Sequence, residues 1–394
     1  MKFFFQHLMP WPHVPANNSH SQAWVTYPRE KYDPELGVDI YEDYLSQYEY
    51  AERLGFDGVC VNEHHQTAYG NMPSPNIMAA VLAVRTKRVK IAILGNAIPL
   101  RHTPQRIAEE LAMLDVLSNG RIICGFVRGI GPEYHSFSMN PTQSRERFQE
   151  AHDLIVRAWM EPGPFEFYGK HYKFRYVNPW PRTVQQPHPP IWIPSQGSVE
   201  TIDWVAEKHY TYLQTYSSID SVRRVFDEFR AAARRHGYEA SPQQLGWALP
   251  IYLAETEERA YEEAKRPIEY LFNDVFKMPP SVFFPPGYLT PKSMSRVLAN
   301  KKGLGTGYLS FEDLVSKGYV MVGTPSSVRE RLAAYQKEFG FGNLLAMLQF
   351  GTLPHHLALR NIELFGKEVI PYLRDLGEHS KTEQHPDRQP APRG

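Results

Sequence analysis

The stretch VKIAILGNAIPLRHTPQRIAEELAMLDVLSNGRIICGFVRG, residues 89–129, contains one complete strand–helix–strand unit. Val89–Gly95 and Ile122–Val127 are apolar runs with the length of a buried strand. Between them, Thr103-Pro104 can begin a helix and Asn119-Gly120 can end it. The apolar face of that helix consists of Ile107, Leu111 and Leu114. Two apolar strands joined by a crossover helix are typical of a parallel sheet.

The same alternation of apolar runs and amphipathic stretches continues on both sides of this unit and predicts eight strands. The predicted strands are Lys2–Gln6, Gly58–Asn62, Val89–Gly95, Ile122–Val127, Ile191–Pro194, Tyr210–Thr215, Leu245–Leu253 and Asn343–Phe350. Right-handed crossovers would close these strands into a (β/α)8 barrel, a TIM barrel, or leave an open doubly wound sheet. Periodicity alone does not decide between the two.

Two segments interrupt the alternation. Pro162–Pro189, after the fourth strand, is dense in aromatic residues and prolines and is predicted to be a hairpin and loop insertion. Met278–Lys317, after the seventh strand, is rich in proline and phenylalanine. It is a candidate lid, because long loops of this kind are often functional. We therefore expect one barrel domain, residues 1–376, followed by a disordered polar tail, residues 377–394.

Composition narrows the class of partner. The chain carries 43 basic and 43 acidic side chains, so no overall positive field would draw it to nucleic acid or to an anionic membrane. No apolar stretch is long enough to span a bilayer, and the first apolar run is too short for a signal peptide. Cys60 and Cys124 lie in apolar runs, where a free thiol behaves as a small hydrophobic group. We expect a cytoplasmic protein that acts on a small molecule.

Polar side chains follow several predicted strands, where a parallel barrel places its functional groups. Asn62-Glu63-His64-His65 follows the second strand. A histidine here can exchange a proton near neutral pH, and Glu63 could orient it. Two solvent-facing histidines on a loop are the alternative. No metal site is expected, because adjacent residues in extended backbone point to opposite faces, so His64 and His65 would not share one ion.

Three further strand ends carry groups suited to a flat, phosphorylated ligand. Gly95-Asn96 permits close approach of a ring and offers an amide at its edge, although such a pair is more often a turn. Arg128 can bind a phosphate bidentately, and a structural salt bridge explains it equally well. Ser195-Gln196-Gly197-Ser198, with Thr201, leads into a helix whose N-terminus can hold an anion. Ser198 can instead be only the N-cap of that helix.

The ordered set of motifs resembles the luciferase-like flavin monooxygenases from Met1 to about Leu373. The motifs are Gly55-Phe56-Asp57 with Glu63-His64-His65, Ala108-Glu109-Glu110, Leu114-Asp115, Ser118-Asn119-Gly120-Arg121, Gly125-Phe126-Val127-Arg128-Gly129, Ser144-Arg145-Glu146-Arg147-Phe148, Pro190-Ile191-Trp192-Ile193 with Trp204, and Val322-Gly323-Thr324-Pro325. The resemblance implies a closed (β/α)8 barrel that binds reduced flavin mononucleotide (FMN) at the carboxyl ends of its strands.

The resemblance also implies roles for the strand-end residues. His64 would be the catalytic histidine, and Val127 stands where light-emitting members have a reactive cysteine, so light emission is not expected. Arg128, Ser198 and Thr201 would bind the flavin phosphate. The remaining cofactor-binding positions are Ser195, Gln196 and Gly197 in the turn, and Gly95 and Asn96 at the ring.

The implied reaction is the insertion of one atom of O2 into an apolar substrate of the aldehyde, alkane, terpene or ketone type, through a hydroperoxide at flavin C4a. The sequence has no Gly-x-Gly-x-x-Gly fingerprint, so a separate NAD(P)H:flavin reductase is expected to supply reduced FMN. A homodimer is also expected. The alternatives are a deazaflavin-dependent oxidoreductase of the same fold, a metal-dependent hydrolase on the same barrel, and a flavin-binding protein without catalysis.

Overall fold

Parallel strands close into a barrel in the computed structural model, which describes residues 1–15, 20–291, 293–295 and 308–376. The strands are β1 (Lys2–Gln6), β2 (Gly58–Val61), β3 (Lys90–Ala97), β4 (Ile122–Val127), β5 (Phe165–Tyr168), β6 (Lys173–Val177), β7 (Ile191–Ser195), β8 (Thr211–Thr215), β9 (Leu245–Leu253), β10 (Met321–Gly323) and β11 (Asn343–Met347). Neighbours pair in the order β9, β11, β1, β2, β3, β4, β7 and β8, and β8 pairs again with β9. This closure confirms the (β/α)8 barrel and excludes the open sheet.

Helices cover the outside of the barrel and connect its strands. They are α1 (Pro34–Arg53), α2 (Pro75–Arg85), α3 (Pro104–Leu117), α4 (Gly131–Ser136), α5 (Ser144–Met160), α6 (Val199–Glu207), α7 (Ile219–Arg235), α8 (Glu257–Tyr270), α9 (Pro280–Phe283), α10 (Phe311–Ser316), α11 (Pro325–Phe339), α12 (His355–Leu364) and α13 (Ile370–Leu373). Among the described residues, no helix combines the length and apolar composition needed to cross a bilayer.

Alternate side chains of each strand fill two separate cores. The inner core of the barrel consists of Phe4, Cys60, Ala92, Leu94, Ile123, Trp192, Leu213, Ala248 and Leu345. Phe4 and Trp192 meet edge to face there, with ring centroids 4.8 Å apart. Phe3 and Phe5, one position to either side of Phe4, belong to the outer core between strands and helices. The period-two alternation of a strand therefore assigns neighbouring phenylalanines to different layers.

The predicted elements differ from the structure in a few places. The hairpin inside Pro162–Pro189 is confirmed as the antiparallel pair β5–β6. The sequence prediction missed β10, a three-residue strand beside β9, because so short a run has no readable period. Thr103 precedes α3, but its side chain makes no capping hydrogen bond. Within Met278–Lys317, residues 292 and 296–307 lie outside the described residues, as does the predicted tail from 377 onward.

Strands β3 and β4 approach each other closely where two glycines face across the sheet. A Cβ atom on Gly125 would lie 2.2 Å from the carbonyl oxygen of Ile93. A Cβ atom on Gly95 would lie 2.8 Å from the carbonyl carbon and oxygen of Gly125. The pairing of β3 with β4 is irregular between Ile93 and Asn96. The close packing of β3 against β4 is therefore enough to require glycine at position 95, with or without a ligand nearby.

Replacing Gly125 by Ala should destabilise the barrel by about 3 kcal/mol, because the added methyl group collides with backbone that cannot move independently. The free energy of unfolding from urea denaturation measures the effect. Gly237→Ala is the matched control, since Gly237 has φ +84° but open space around it. That variant should lose only about 1 kcal/mol from its left-handed backbone. A Gly125→Ala protein as stable as the Gly237→Ala protein would contradict the close approach.

Candidate active site

A cavity of about 260 Å³ opens at the carboxyl ends of the barrel strands. The strand ends and the loops after them supply Gln6, Asn62, His64, Tyr69, Gly95, Arg128, Ser195, Gln196, Gly197, Ser198, Thr201 and Tyr216. The segment after α8 supplies Phe276, Phe283, Phe284, Tyr288, Leu289 and Ser293. The structure thus brings together all but one of the predicted site residues in a single cavity, and the predicted lid forms one wall of it.

His64 lies in this cavity and is oriented by a carboxylate from another loop. Its Nδ1 is 2.9 Å from Oε1 of Glu133 on α4, and 19% of the His64 side chain remains accessible. Glu133 is almost fully buried, and its second oxygen accepts a hydrogen bond from the backbone N–H of Ile130. A carboxylate held at both oxygens fixes the imidazole orientation and favours the tautomer with the proton on Nδ1.

The expectation that Glu63 orients His64 is wrong. Glu63 bonds to His65, with 2.7 Å between Oε1 and Nε2, and to Arg101, with 2.8 Å between Oε1 and Nη2. Because adjacent side chains diverge in extended backbone, the two histidines take different carboxylates. Glu133 is 69 positions from His64, so only the fold pairs them. Among the described residues, no group of three His, Cys, Asp or Glu is arranged to hold a metal ion.

Two arginines form the cationic end of the cavity. Arg128 Nη1 donates to Ser144 Oγ at 3.1 Å and to the backbone oxygen of Tyr288 at 3.2 Å, and its guanidinium lies over the Tyr288 ring. Within the described parts of the chain it has no carboxylate within salt-bridge distance, so the structure does not support a structural salt bridge there. Arg145, which the sequence analysis did not single out as a site residue, also lines the cavity.

Arg145 adds a second positive charge at this end of the cavity. Burial and the neighbouring positive charge of Arg128 both lower the pKa of the Arg145 guanidinium. The nearest carboxylate oxygen, Oε2 of Glu200, is 3.7 Å away. Two partly desolvated guanidinium groups side by side repel each other, so an anion between them would be stabilised. Arg145 is the second residue of α5. The sequence signal for it was the motif Ser144–Phe148, which was used only for the family resemblance.

The turn before α6 contributes hydroxyls next to the arginines. Ser198 occupies the N-cap position, but its side chain makes no capping bond and instead donates to Oε2 of Glu200 at 2.8 Å. The hydroxyl therefore does not have the capping role that the sequence left open. The N–H of Gly197 already donates to the hydroxyl of Tyr212 at 3.0 Å, so that backbone donor is not available to a ligand. Thr201 lies one turn into the helix and also lines the cavity.

The expected contact between Asn96 and a bound ring is not supported by the structure. Asn96 is fully buried outside the cavity lining, and its Nδ2 donates to Oδ1 of Asn76 on α2 at 3.1 Å. The irregular pairing of β3 after Ile93 places this side chain on the helix side of the sheet. Two other strand-end amides face the cavity instead, Gln6 and Asn62, and both carry a buried oxygen without a hydrogen-bond partner.

The described part of the lid is tied to the cationic end. Oε1 of Glu200 accepts from Thr290 Oγ1 at 2.9 Å, and Oε2 accepts from Ser293 Oγ at 2.8 Å. The Tyr288 hydroxyl donates to the backbone oxygen of Gly129. Burial raises the pKa of Glu200, but hydrogen bonds from its own N–H, Ser198, Ser293 and Thr290 outweigh burial and hold it at about 2. Glu200 is therefore ionised across the physiological range and anchors the lid.

Comparison with known proteins gives a consistent fold and family. The profile of the luciferase-like monooxygenases matches residues 20–340. The protein y4wF of Sinorhizobium fredii is 30% identical over 332 residues, which is 84% of this chain and 91% of that protein. Limonene 1,2-monooxygenase of Rhodococcus erythropolis is 24% identical, over 89% of this chain and 86% of that enzyme. The oxygenating component of 3,6-diketocamphane monooxygenase from Pseudomonas putida, solved with FMN, superposes with a TM-score of 0.71 at 19% identity, covering 94% and 98% of the two chains.

Replacing Glu200 by Gln should loosen the lid, because the amide cannot accept the same set of hydrogen bonds at both positions. Hydrogen exchange of backbone amides in residues 284–291 measures this, and faster exchange is expected. Glu207→Gln, at the other end of α6 and 3.4 Å from Lys208, is the matched control and should leave lid exchange unchanged.

The pH dependence of amide hydrogen exchange in the lid follows from the Glu200 carboxylate. The pKa of Glu200 is lowered from 4.5 to about 2. The stabilisation of the lid by the ionised carboxylate is therefore complete above pH 4.5 and is lost as the pH falls towards 2. Lid exchange corrected for the intrinsic rate should therefore be flat from pH 7 to pH 5. Loosening within that interval, or identical exchange in the Glu200→Gln protein and the wild type, would show that Glu200 does not anchor the lid.

Proposed function

The chain belongs to the luciferase-like monooxygenase family, and from that premise we propose that it is a flavin-dependent monooxygenase. It would use reduced FMN and O2 to oxygenate an apolar organic substrate. The observation that carries the proposal is the polarity of this cavity: two arginines and the hydroxyls of Ser198 and Thr201 lie at one end, and a carboxylate-oriented histidine lies among aromatic side chains at the other. Such a cavity suits a ligand with an anionic tail and a reactive ring.

The residues present fit FMN. Arg128, Arg145, Ser198 and Thr201 would hold the phosphate, since guanidinium groups and hydroxyls are its usual partners. At the other end of the cofactor, the orphaned oxygens of Gln6 and Asn62 could accept from the ring N–H of the isoalloxazine. When bound, reduced FMN supplies the redox chemistry that activates O2. The protein supplies binding, orientation and protection from water.

His64 is the group that would handle a proton. Glu133 accepts from Nδ1, which leaves Nε2 free to exchange a proton with the substrate or with the oxygen being transferred. Phe276, Phe283 and Phe284 form an apolar cover over this end of the cavity. Exclusion of water there would protect the activated oxygen from wasteful release.

Arg128→Ala and Arg145→Ala should each weaken FMN binding by about 10- to 100-fold, because each removes a charge-assisted bond to phosphate worth about 1.5–3 kcal/mol. Fluorescence titration with oxidised FMN, and anaerobic titration with reduced FMN, measures the dissociation constants. Arg157→Ala removes an arginine of α5 that pairs with Glu161 on the surface, and it should bind FMN normally. If all three variants bind FMN equally, the phosphate does not lie at the cationic end.

His64→Ala should bind FMN as the wild type does but lose oxygenation, because the proton-handling group is gone while the phosphate site is intact. Oxygen uptake and the mass of products are measured with photochemically reduced FMN and a panel of aldehydes, ketones, terpenes and aromatic compounds. His102→Ala, an exposed histidine, is the control. Equal turnover by His64→Ala would refute the assigned role. Substrate reduction by a reduced deazaflavin without O2 uptake would favour the deazaflavin alternative.

Two partners complete the proposal. A separate NAD(P)H:flavin reductase would deliver reduced FMN in the cytoplasm, and rapid NADH oxidation by the purified chain with FMN alone would contradict this. We also propose a homodimer. The solvent-facing sides of α2 and α3 carry exposed apolar side chains, among them Ile77 and Val84 on α2 and Leu117 at the end of α3. Burial of such a face against a second copy would remove it from water.

A further inference from the structure

We propose that the substrate is an aromatic compound with a ring hydroxyl, bound with its ring among Tyr69, Phe276 and Phe283 and its hydroxyl donating to Nε2 of His64. This inference rests on the proposed monooxygenase function and names the substrate class of the same cavity. The proposed substrate class is narrower than apolar compounds in general, because it includes aromatic rings and excludes saturated chains and rings of the same size.

Aromatic side chains from three separate segments form a series of ring contacts that leads to His64. The ring of Tyr69, in the loop after β2, is 5.0 Å from the His64 ring and meets it edge on. Phe276, directly after the π-helical turn Leu271–Val275 that follows α8, lies 5.5 Å from Tyr69, and Phe283 of α9 lies 5.9 Å from Phe276. Tyr216, at the end of β8, stacks on Phe276 with centroids 6.0 Å apart. All four line the cavity.

This arrangement favours a planar ring over a saturated one. Aromatic rings meet in offset or edge-to-face geometry through complementary faces and edges, and each such contact adds to the burial of apolar area. A saturated ring gains only the burial. The tyrosine hydroxyls do not disturb the apolar character of this end, because Tyr69 donates to the hydroxyl of Tyr216 at 2.9 Å and Tyr216 contacts the sulfur of Met347 at 3.8 Å.

His64 determines which polar group on a substrate can be bound. With Nδ1 bonded to Glu133, the imidazole offers an acceptor at Nε2, which has no protein hydrogen-bond partner among the described residues. A hydroxyl on the substrate ring satisfies that acceptor, and an aldehyde or ketone oxygen does not, because it cannot donate. The His64 ring packs edge on against the stacked rings of Tyr69 and Trp24, the latter 5.3 Å away, so packing also restrains its orientation.

A cationic aromatic substrate fits less well. The carboxylate of Glu133 already accepts from His64 and Ile130, and that of Glu63 accepts from His65, Arg101 and the backbone N–H of Ala97. Arg128 and Arg145 make the opposite end of the cavity positive. Both carboxylates therefore already have donors within the protein, which favours a neutral hydroxylated ring over a cationic one.

Calorimetric titration of the FMN-saturated protein with 2-naphthol, decahydro-2-naphthol and naphthalene tests the proposal. The first two share the hydroxyl and differ in aromaticity, and the first and third share the rings and differ in the hydroxyl. We expect 2-naphthol to bind at least about tenfold more tightly than either of the others. Decahydro-2-naphthol is the more apolar of the two alcohols. A cavity that selects for apolar character alone would therefore bind it more tightly than 2-naphthol.

Variants assign the preference to named residues. Phe276→Leu and Phe283→Leu should each weaken 2-naphthol several-fold and leave decahydro-2-naphthol nearly unchanged, whereas Phe165→Leu, in the β5–β6 hairpin, should change neither. His64→Phe keeps a ring but removes the acceptor, so it should abolish the advantage of 2-naphthol over naphthalene. A normal FMN titration confirms that each variant is folded.

The outcomes separate this inference from the proposed function. Equal binding of the two alcohols would overturn the aromatic preference, and equal binding of 2-naphthol and naphthalene would overturn the role of the hydroxyl. If none of the three probes binds while FMN binds normally, the substrate class is wrong and the flavin-dependent function stands. If FMN itself does not bind, the proposed function fails first.

Discussion

The closure of parallel strands into a ring is the constraint on which the rest of this structure depends. The eight barrel strands are parallel, so their carboxyl ends lie at the same rim, and the pairing of β8 with β9 closes that rim into a ring. Loops that are far apart in the chain are then forced to meet above the inner core. His64 reaches Glu133, and Arg128 reaches Tyr288, across 69 and 160 positions of sequence for this reason alone. The tight contact of β3 with β4 at Gly125 is part of the same geometry.

Charge is distributed along the cavity so that its two ends favour different chemistry. At one end Arg128 and Arg145 lie close together and partly out of water, which is unfavourable until an anion joins them. Glu200 stands beside them, but its oxygens are already engaged by Ser198, Thr290 and Ser293. At the other end the carboxylate of buried Glu133 contacts His64, and no other carboxylate among the described residues forms a salt bridge with it. The ends are therefore complementary to a phosphate and to a neutral, apolar substrate.

The residues just before the lid are connected to His64 through aromatic side chains. Val275, the last residue of the π-helical turn after α8, accepts a hydrogen bond from the indole of Trp24 at 2.9 Å. Trp24 in turn packs edge on against His64, and Phe276 packs against Tyr69. Val275 and Phe276 lie just before the lid, and each is linked to His64 through one aromatic side chain, Trp24 or Tyr69.

The sequence by itself determined the strand–helix alternation, the eight barrel strands and the strand ends where polar groups gather. Apolar period and turn residues are local signals, so a single chain displays them. It also identified His64, Arg128 and the Ser195–Ser198 turn as cavity residues, because position at a strand end is readable from the pattern. The sequence did not show which of these side chains contact one another. Tertiary structure decided that Glu133, and not Glu63, contacts His64. It also placed Arg145 in the cavity and turned Asn96 to the helix side of the sheet. Side-chain contacts between distant segments, and an irregular pairing that turns one residue away from the cavity, depend on three-dimensional packing that no local period encodes.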